Sequence, residues 1–219
     1  MKITTTAIVE LDHPANFIVA SQEPLMYLVA GREGKISLLD ERFSLCHTHQ
    51  YQSGIGDLSI DPAGKWKALI LKPGKLVVER LADSHPLWGK AGRNFETCLF
   101  SLDGKHLWCA GRISRAEIEC LLLEVATWQT VARATITDEQ GGFSGLLFPV
   151  PSANATVLWL ADGQGSTQVI WFTFEGGQLS WRPEPSLQDC YPPVFSEAGA
   201  EFLIHNGRTL RKYSYPTVQ

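Results

Sequence analysis

Few residues in this sequence have the types and spacing that chemistry requires. The serine of Gly142-Phe143-Ser144-Gly145 approaches a nucleophile elbow, but the second glycine comes one position early and no helical pattern follows. It reads as a loop entering a strand. In Cys46-His47-Thr48-His49 the two histidines are two residues apart, so on a strand they share a face and could reach one metal ion. No third ligand is visible, and two histidines on an outer strand is the simpler reading. Gly163-Gln164-Gly165-Ser166 has no third glycine and no following helix, which makes it a hairpin loop rather than a phosphate cradle. Asp57 and Glu96 are the acids near the strands expected to lie innermost, and a glycosidase would need two carboxylates facing one cleft. Asp57 reads instead as a hydrogen-bonded strand residue. No catalytic residue, metal site or cofactor is expected.

The five cysteines, Cys46, Cys98, Cys109, Cys120 and Cys190, are odd in number and form no C-x-x-C pair. They suit thiols in a reducing compartment better than a disulfide framework or a zinc knuckle. Asn154-Ala155-Thr156 fits the glycosylation pattern but reads as a turn. The first ten residues contain no apolar run of signal-peptide length, which points to the cytoplasm. Gly141 to Ala161 is free of charge, yet Pro149, Pro151, Ser152 and Asn154 suit a β segment better than a membrane span. Across 219 residues, 19 Lys+Arg face 23 Asp+Glu, a formal net charge of -4. That excludes binding to nucleic acid or a membrane surface through bulk positive charge.

Whatever these residues do, short strands must position them. Apolar runs are separated by Gly, Pro, Asn and Asp, and helical periodicity is nearly absent. The pattern repeats. Serine-bearing strands ending in turns appear as Leu58-Ser59-Ile60-Asp61-Pro62-Ala63-Gly64, Phe100-Ser101-Leu102-Asp103-Gly104 and Phe195-Ser196-Glu197-Ala198-Gly199, with weaker copies at Ile18–Pro24 and Phe148–Ala153. A nearly continuous apolar run follows each turn, as in Ala68-Leu69-Ile70-Leu71, which implies burial on both faces. A second turn and a third strand come next. With Val19, Ser59, Ser101, Pro149 and Ser196 taken as equivalent, the spacings are 40, 42, 48 and 47. That is the period of a four-stranded propeller blade.

The expected architecture is all-β: residues 1–219 form a single domain, a five-bladed β-propeller of four-stranded antiparallel blades. The blades fall at about 15–50, 54–90, 95–136, 143–183 and 190–215. Fourth strands are expected around Phe43–Thr48, His85–Gly89, Thr130–Thr135 and Gln178–Arg182. The fifth copy has none of its own, and residues 2–11, with Ile3, Thr5, Ala7, Val9 and Leu11 on one face, are expected to complete that blade. The first turns and the hairpin Ala30-Gly31-Arg32-Glu33-Gly34-Lys35-Ile36-Ser37-Leu38-Leu39-Asp40 give the chain a resemblance to the WD-repeat propellers. No copy ends in Trp-Asp and none opens on Gly-His, so the family's buried Asp-His-Ser-Trp network is not assigned. The resemblance implies a protein-binding role.

Trp66, Trp108, Trp159 and Trp171 fall in strands and are expected in the core, while Trp88, Trp128 and Trp181 lie nearer turns or outer strands. The second hairpins carry Arg32, Lys72, Arg112, Arg115 and Arg208 in an acidic chain, and only the fourth, with Asp162, breaks the pattern. They are expected to form a basic rim that meets an acidic surface of a partner protein. Tyr51 and Tyr191, in the blade connections, are expected to supply aromatic anchors. The expected protein is a monomeric, non-catalytic adaptor, assembly subunit or inhibitor-type partner. The alternative is a small glycan-binding or glycoside-hydrolase-like propeller.

Overall fold

The computed structural model describes residues 8–90, 94–137, 144–151, 155–161, 167–184, 190–196, 201–205 and 209–214. All regular structure among them is antiparallel β, in five sheets. The first sheet is β1 (Phe17–Ala20), β2 (Tyr27–Ala30), β3 (Lys35–Leu39) and β4 (Leu45–Gln50), and the second is β5 (Ile55–Ile60), β6 (Trp66–Leu71), β7 (Lys75–Arg80) and β8 (Pro86–Lys90). The third is β9 (Asn94–Phe100), β10 (His106–Ser114), β11 (Glu117–Glu124) and β12 (Thr130–Thr137). The fourth is β13 (Ser144–Pro149), β14 (Ala155–Ala161), β15 (Thr167–Glu175) and β16 (Gln178–Pro183). The fifth has three described strands, β17 (Val194–Phe195), β18 (Glu201–His205) and β19 (Leu210–Ser214). The four expected outer strands are β4, β8, β12 and β16. The expected N-terminal strand falls partly on residues 1–7, which lie outside the described residues, and residues 8–11 carry no strand.

The chain divides into two compact units, Met1–Arg93 and Asn94–Gln219. In the first, Leu28, Ala30, Ile36 and Leu38 of the first sheet pack on Ile55, Leu58, Ile60 and Leu69 of the second. In the second, Trp108, Cys120 and Leu122 of the third sheet meet Leu147, Leu158 and Phe172 of the fourth. The far face of the fourth sheet presents Val157, Val169 and Trp171 to Phe202 and Ile204 of the fifth. The second and third strands of the fourth sheet are therefore apolar on both faces, because a neighbouring sheet covers each face. Each fully buried Leu, Ile or Val in these layers contributes about 1.5–3 kcal/mol.

One backbone hydrogen bond marks the same place in every sheet. The turn between first and second strands is closed by an N–H donating to the carbonyl five residues on: Ser21 to Met26 (3.0 Å), Asp61 to Trp66 (2.9 Å), Ser101 to His106 (2.9 Å), Val150 to Ala155 (3.3 Å) and Ser196 to Glu201 (2.8 Å). The equivalent residues are thus Ser21, Asp61, Ser101, Val150 and Ser196, spaced 40, 40, 49 and 46. This corrects the register expected from Val19, Ser59 and Pro149. The side chain explains the residue type. Ser21, Ser101 and Ser196 each accept from the backbone N–H of that fifth residue, at 3.0, 2.9 and 3.2 Å, and Asp61 accepts from Lys65 N–H at 3.2 Å. A short polar side chain there satisfies a donor that the turn would otherwise leave bare.

Candidate functional site

The linker between the first and second sheets, residues 51–54, is gripped from both sides. Ile55 N–H donates to the Arg32 carbonyl at 3.1 Å, and Lys72 N–H donates to the Gly54 carbonyl at 2.8 Å. Tyr51 N–H donates to the Gly34 carbonyl at 2.9 Å. Two glycines make this fit possible. Gly34 adopts φ +99, and a Cβ there would lie 2.6 Å from the Ser53 carbonyl oxygen. A Cβ on Gly54 would lie 2.5 Å from the Arg32 carbonyl oxygen and 3.5 Å from Cδ of Lys72. The hairpins carrying Arg32 and Lys72 therefore flank one glycine, and both residues are exposed. These are two of the expected rim cations, brought together by backbone hydrogen bonds.

Tyr51 does not serve as an exposed anchor. It is only 8% exposed and belongs to the core of the first unit. Its hydroxyl donates a short hydrogen bond to Glu79 Oε2. Glu79 in turn lies 3.4 Å from Nζ of Lys67, its cross-strand partner. Lys67 is 0% exposed and also donates to the Ser84 hydroxyl at 2.8 Å and to the Arg80 carbonyl at 3.1 Å. Burial lowers the Lys67 pKa against the opposing pull of Glu79. Burial, reinforced by the Glu79 carboxylate, pushes the Tyr51 phenol up, so it stays protonated. The sequence did carry a signal for the Lys67–Glu79 pair within this network, though not for Tyr51. A charge in each of two adjacent strands apolar on both faces, at opposed positions, has to be paired.

In the second unit the two described cations differ in exposure. Arg112 is mostly covered, at 17% side-chain exposure, with Nε 3.4 Å from Glu96 Oε1 and Nη1 donating to the Arg115 carbonyl at 3.0 Å. It braces a junction instead of offering an open charge: Glu96 also accepts from Gly145 N–H at 3.0 Å, joining the third and fourth sheets. Arg115 is exposed, and Arg208 lies outside the described residues. Tyr191 is 54% exposed, with its ring stacked on His205 at 4.3 Å and 8°.

The chemical candidates are placed as follows. Ser144 opens β13, not a helix. The His47 and His49 rings stack at 6.4 Å on β4, and no group of three potential ligand side chains occurs among the described residues. The Asp57 carboxylate accepts from Leu58 N–H at 2.9 Å, so it and Glu96 are both engaged by backbone. Gly163, Gln164, Gly165 and Ser166, and Asn154, lie outside the described residues. No helix among the described residues is long and apolar enough to cross a membrane.

Solved structures are similar over most of the chain. A chain of the Mitotic Checkpoint Complex superposes with a TM-score of 0.68 at 13% identity, covering 91% of this chain and 63% of that one. The Cps50 (Swd1) beta-propeller domain of Myceliophteria thermophila gives 0.68 at 12% identity, over 98% and 69%. The WD40 domain of Toxoplasma gondii coronin gives 0.58 at 16% identity, over 74% and 44%. The fold is a WD-repeat-like β-propeller. Five antiparallel sheets, four of them four-stranded among the described residues, are its five blades. Propeller architecture alone does not set activity. Kuenenia stuttgartiensis Hydrazine Synthase is also similar, with a TM-score of 0.68 at 14% identity, and this propeller covers 58% of that chain's length. No protein-family model and no curated protein matches the sequence.

Proposed function

We propose that this propeller is a non-catalytic protein-binding module that recognises an acidic surface of its partner. The observation that supports the reading is the Gly54 linker, whose backbone hydrogen bonds hold the hairpins of the exposed Arg32 and Lys72 on either side of one glycine, in a chain of net charge -4. Hydrogen bonds hold the backbone at both cations, so binding has to order the two side chains but not the hairpins that carry them. Arg115 and Tyr191 are further contact residues of the second unit, and Arg208 is included from its hairpin position in the sequence. Arg112 and Tyr51 act from within, as braces.

A similar propeller belongs to the Mitotic Checkpoint Complex, a protein assembly, which supports the same class of role here. A glycan-cleaving role has less support, because Asp57 and Glu96 both hold backbone N–H groups. The protein is proposed to act in the cytoplasm as an adaptor, assembly subunit or inhibitor-type partner, as a monomer and without a cofactor. The test is affinity capture from the native host with quantitative mass spectrometry, comparing wild type with Arg32→Glu/Lys72→Glu. A protein enriched by wild type and lost with the variant supports the reading. A partner captured equally by both overturns the site.

A further inference from the structure

We propose that Cys98 and Cys109 form a redox-active dithiol that closes to a cross-strand disulfide on exposure to a hydroperoxide. The two residues are directly opposed on β9 and β10. The turn bond from Ser101 N–H to the His106 carbonyl shares that register, so Ser101 and His106 are a hydrogen-bonded pair. Pairs alternate along an antiparallel ladder. Phe100 and Leu107 are therefore a non-hydrogen-bonded pair, Leu99 and Trp108 a bonded one, and Cys98 and Cys109 a non-bonded one. Opposed Cα atoms in a non-bonded pair approach to about 4.5 Å, inside the range a disulfide spans. Both side chains leave the sheet on the same face, and both are buried, at 3% and 0% exposure. Cys120 is not in competition, since it sits opposite Ala110, on the other face. All five cysteines are thiols in this structure.

The step balances with a hydroperoxide as oxidant. One thiolate attacks the terminal peroxide oxygen, giving a sulfenic acid and releasing an alcohol, or water when the oxidant is hydrogen peroxide. The second thiolate then attacks that sulfur and expels water as the S–S bond forms. Two thiols lose two electrons and two protons, and the O–O bond is reduced. Because the pair is buried, the reaction runs through local opening of the blade and is slower than oxidation of the exposed Cys46.

The experiment uses the full chain carrying Cys46→Ser, treated with hydrogen peroxide, alkylated with N-ethylmaleimide and cleaved with trypsin. Cleavage after Arg93, Lys105 and Arg112 separates peptide 94–105 from peptide 106–112. The expected product is these two peptides joined, two hydrogens lighter than their sum, and parted by dithiothreitol. Cys98→Ser should abolish it. Three results would overturn the proposal: both thiols still alkylatable, after denaturation, once peroxide exposure has run many half-lives past complete oxidation of Cys46 in wild type, sulfinic acid at both positions without linkage, or linkage of either residue to Cys120 or Cys190.

Discussion

The Tyr51 hydroxyl donates to the Glu79 carboxylate and so ties the linker that leaves blade 1 to the third strand of blade 2. The bond closes a chain of buried polar groups, Tyr51–Glu79–Lys67–Ser84, inside an otherwise apolar junction. Tyr51→Phe keeps the ring and removes the donor, so it should destabilise the fold by about 1–3 kcal/mol. Glu79→Ala should cost more, about 3–5 kcal/mol, because it leaves the Lys67 ammonium buried without its carboxylate. Urea denaturation of both single variants and the double measures this, and the double should fall short of the sum because Tyr51 and Glu79 share one bond.

Backbone clearance at the linker gives a second expectation. Gly54→Ala places a methyl group against the Arg32 carbonyl oxygen, at 2.5 Å before relaxation. Displacing that strand end should lower stability by about 1–3 kcal/mol. It should also weaken partner capture, since Arg32 and Lys72 both register on this residue. Hydrogen exchange would show faster loss of protection at the Ile55 and Lys72 amides.

Charge reversal should separate contact from support. Arg32→Glu and Lys72→Glu remove exposed charges and should leave the melting temperature unchanged. Arg112→Glu sets a second carboxylate beside Glu96, which also holds the Gly145 amide, and should lower it. Thermal melts of the three variants side by side read this directly.

The first turn of blade 3 predicts an acid dependence. Burial alone would raise the Asp103 carboxyl, but the Ser101 hydroxyl at 2.6 Å and the Lys105 amide at 3.0 Å outweigh it and hold the pKa below its ordinary value. A carboxyl depressed on folding adds stability that is complete above its unfolded pKa and is lost as pH falls through the folded one. Asp103→Asn should therefore flatten the stability profile below about pH 4 while leaving the neutral-pH slope alone. An unchanged acid limb would contradict the bond network.

Much of this architecture was legible in the residues. Continuous apolar strands such as Ala68–Leu71, set between Gly, Pro and Asp turns, implied burial on both faces, and Ala68, Leu69 and Ile70 are buried. Register was less legible. Aligning on serine placed Ser59 where Asp61 performs the task, because either side chain can accept from a turn amide. The partners of Tyr51 and Arg112 were not legible at all. Glu79 is 28 residues from Tyr51, and Glu96 lies on a different strand from Arg112, so only tertiary pairing turned an apparent anchor and an apparent rim cation into braces.

The most direct measurement is the affinity of the captured partner for wild type and for Arg32→Glu/Lys72→Glu, titrated at low and high salt. Binding should be weaker by about tenfold or more in the variant, ~1.4 kcal/mol, and wild type should show a salt dependence that the variant largely loses. Equal affinities with equal salt dependence would contradict it.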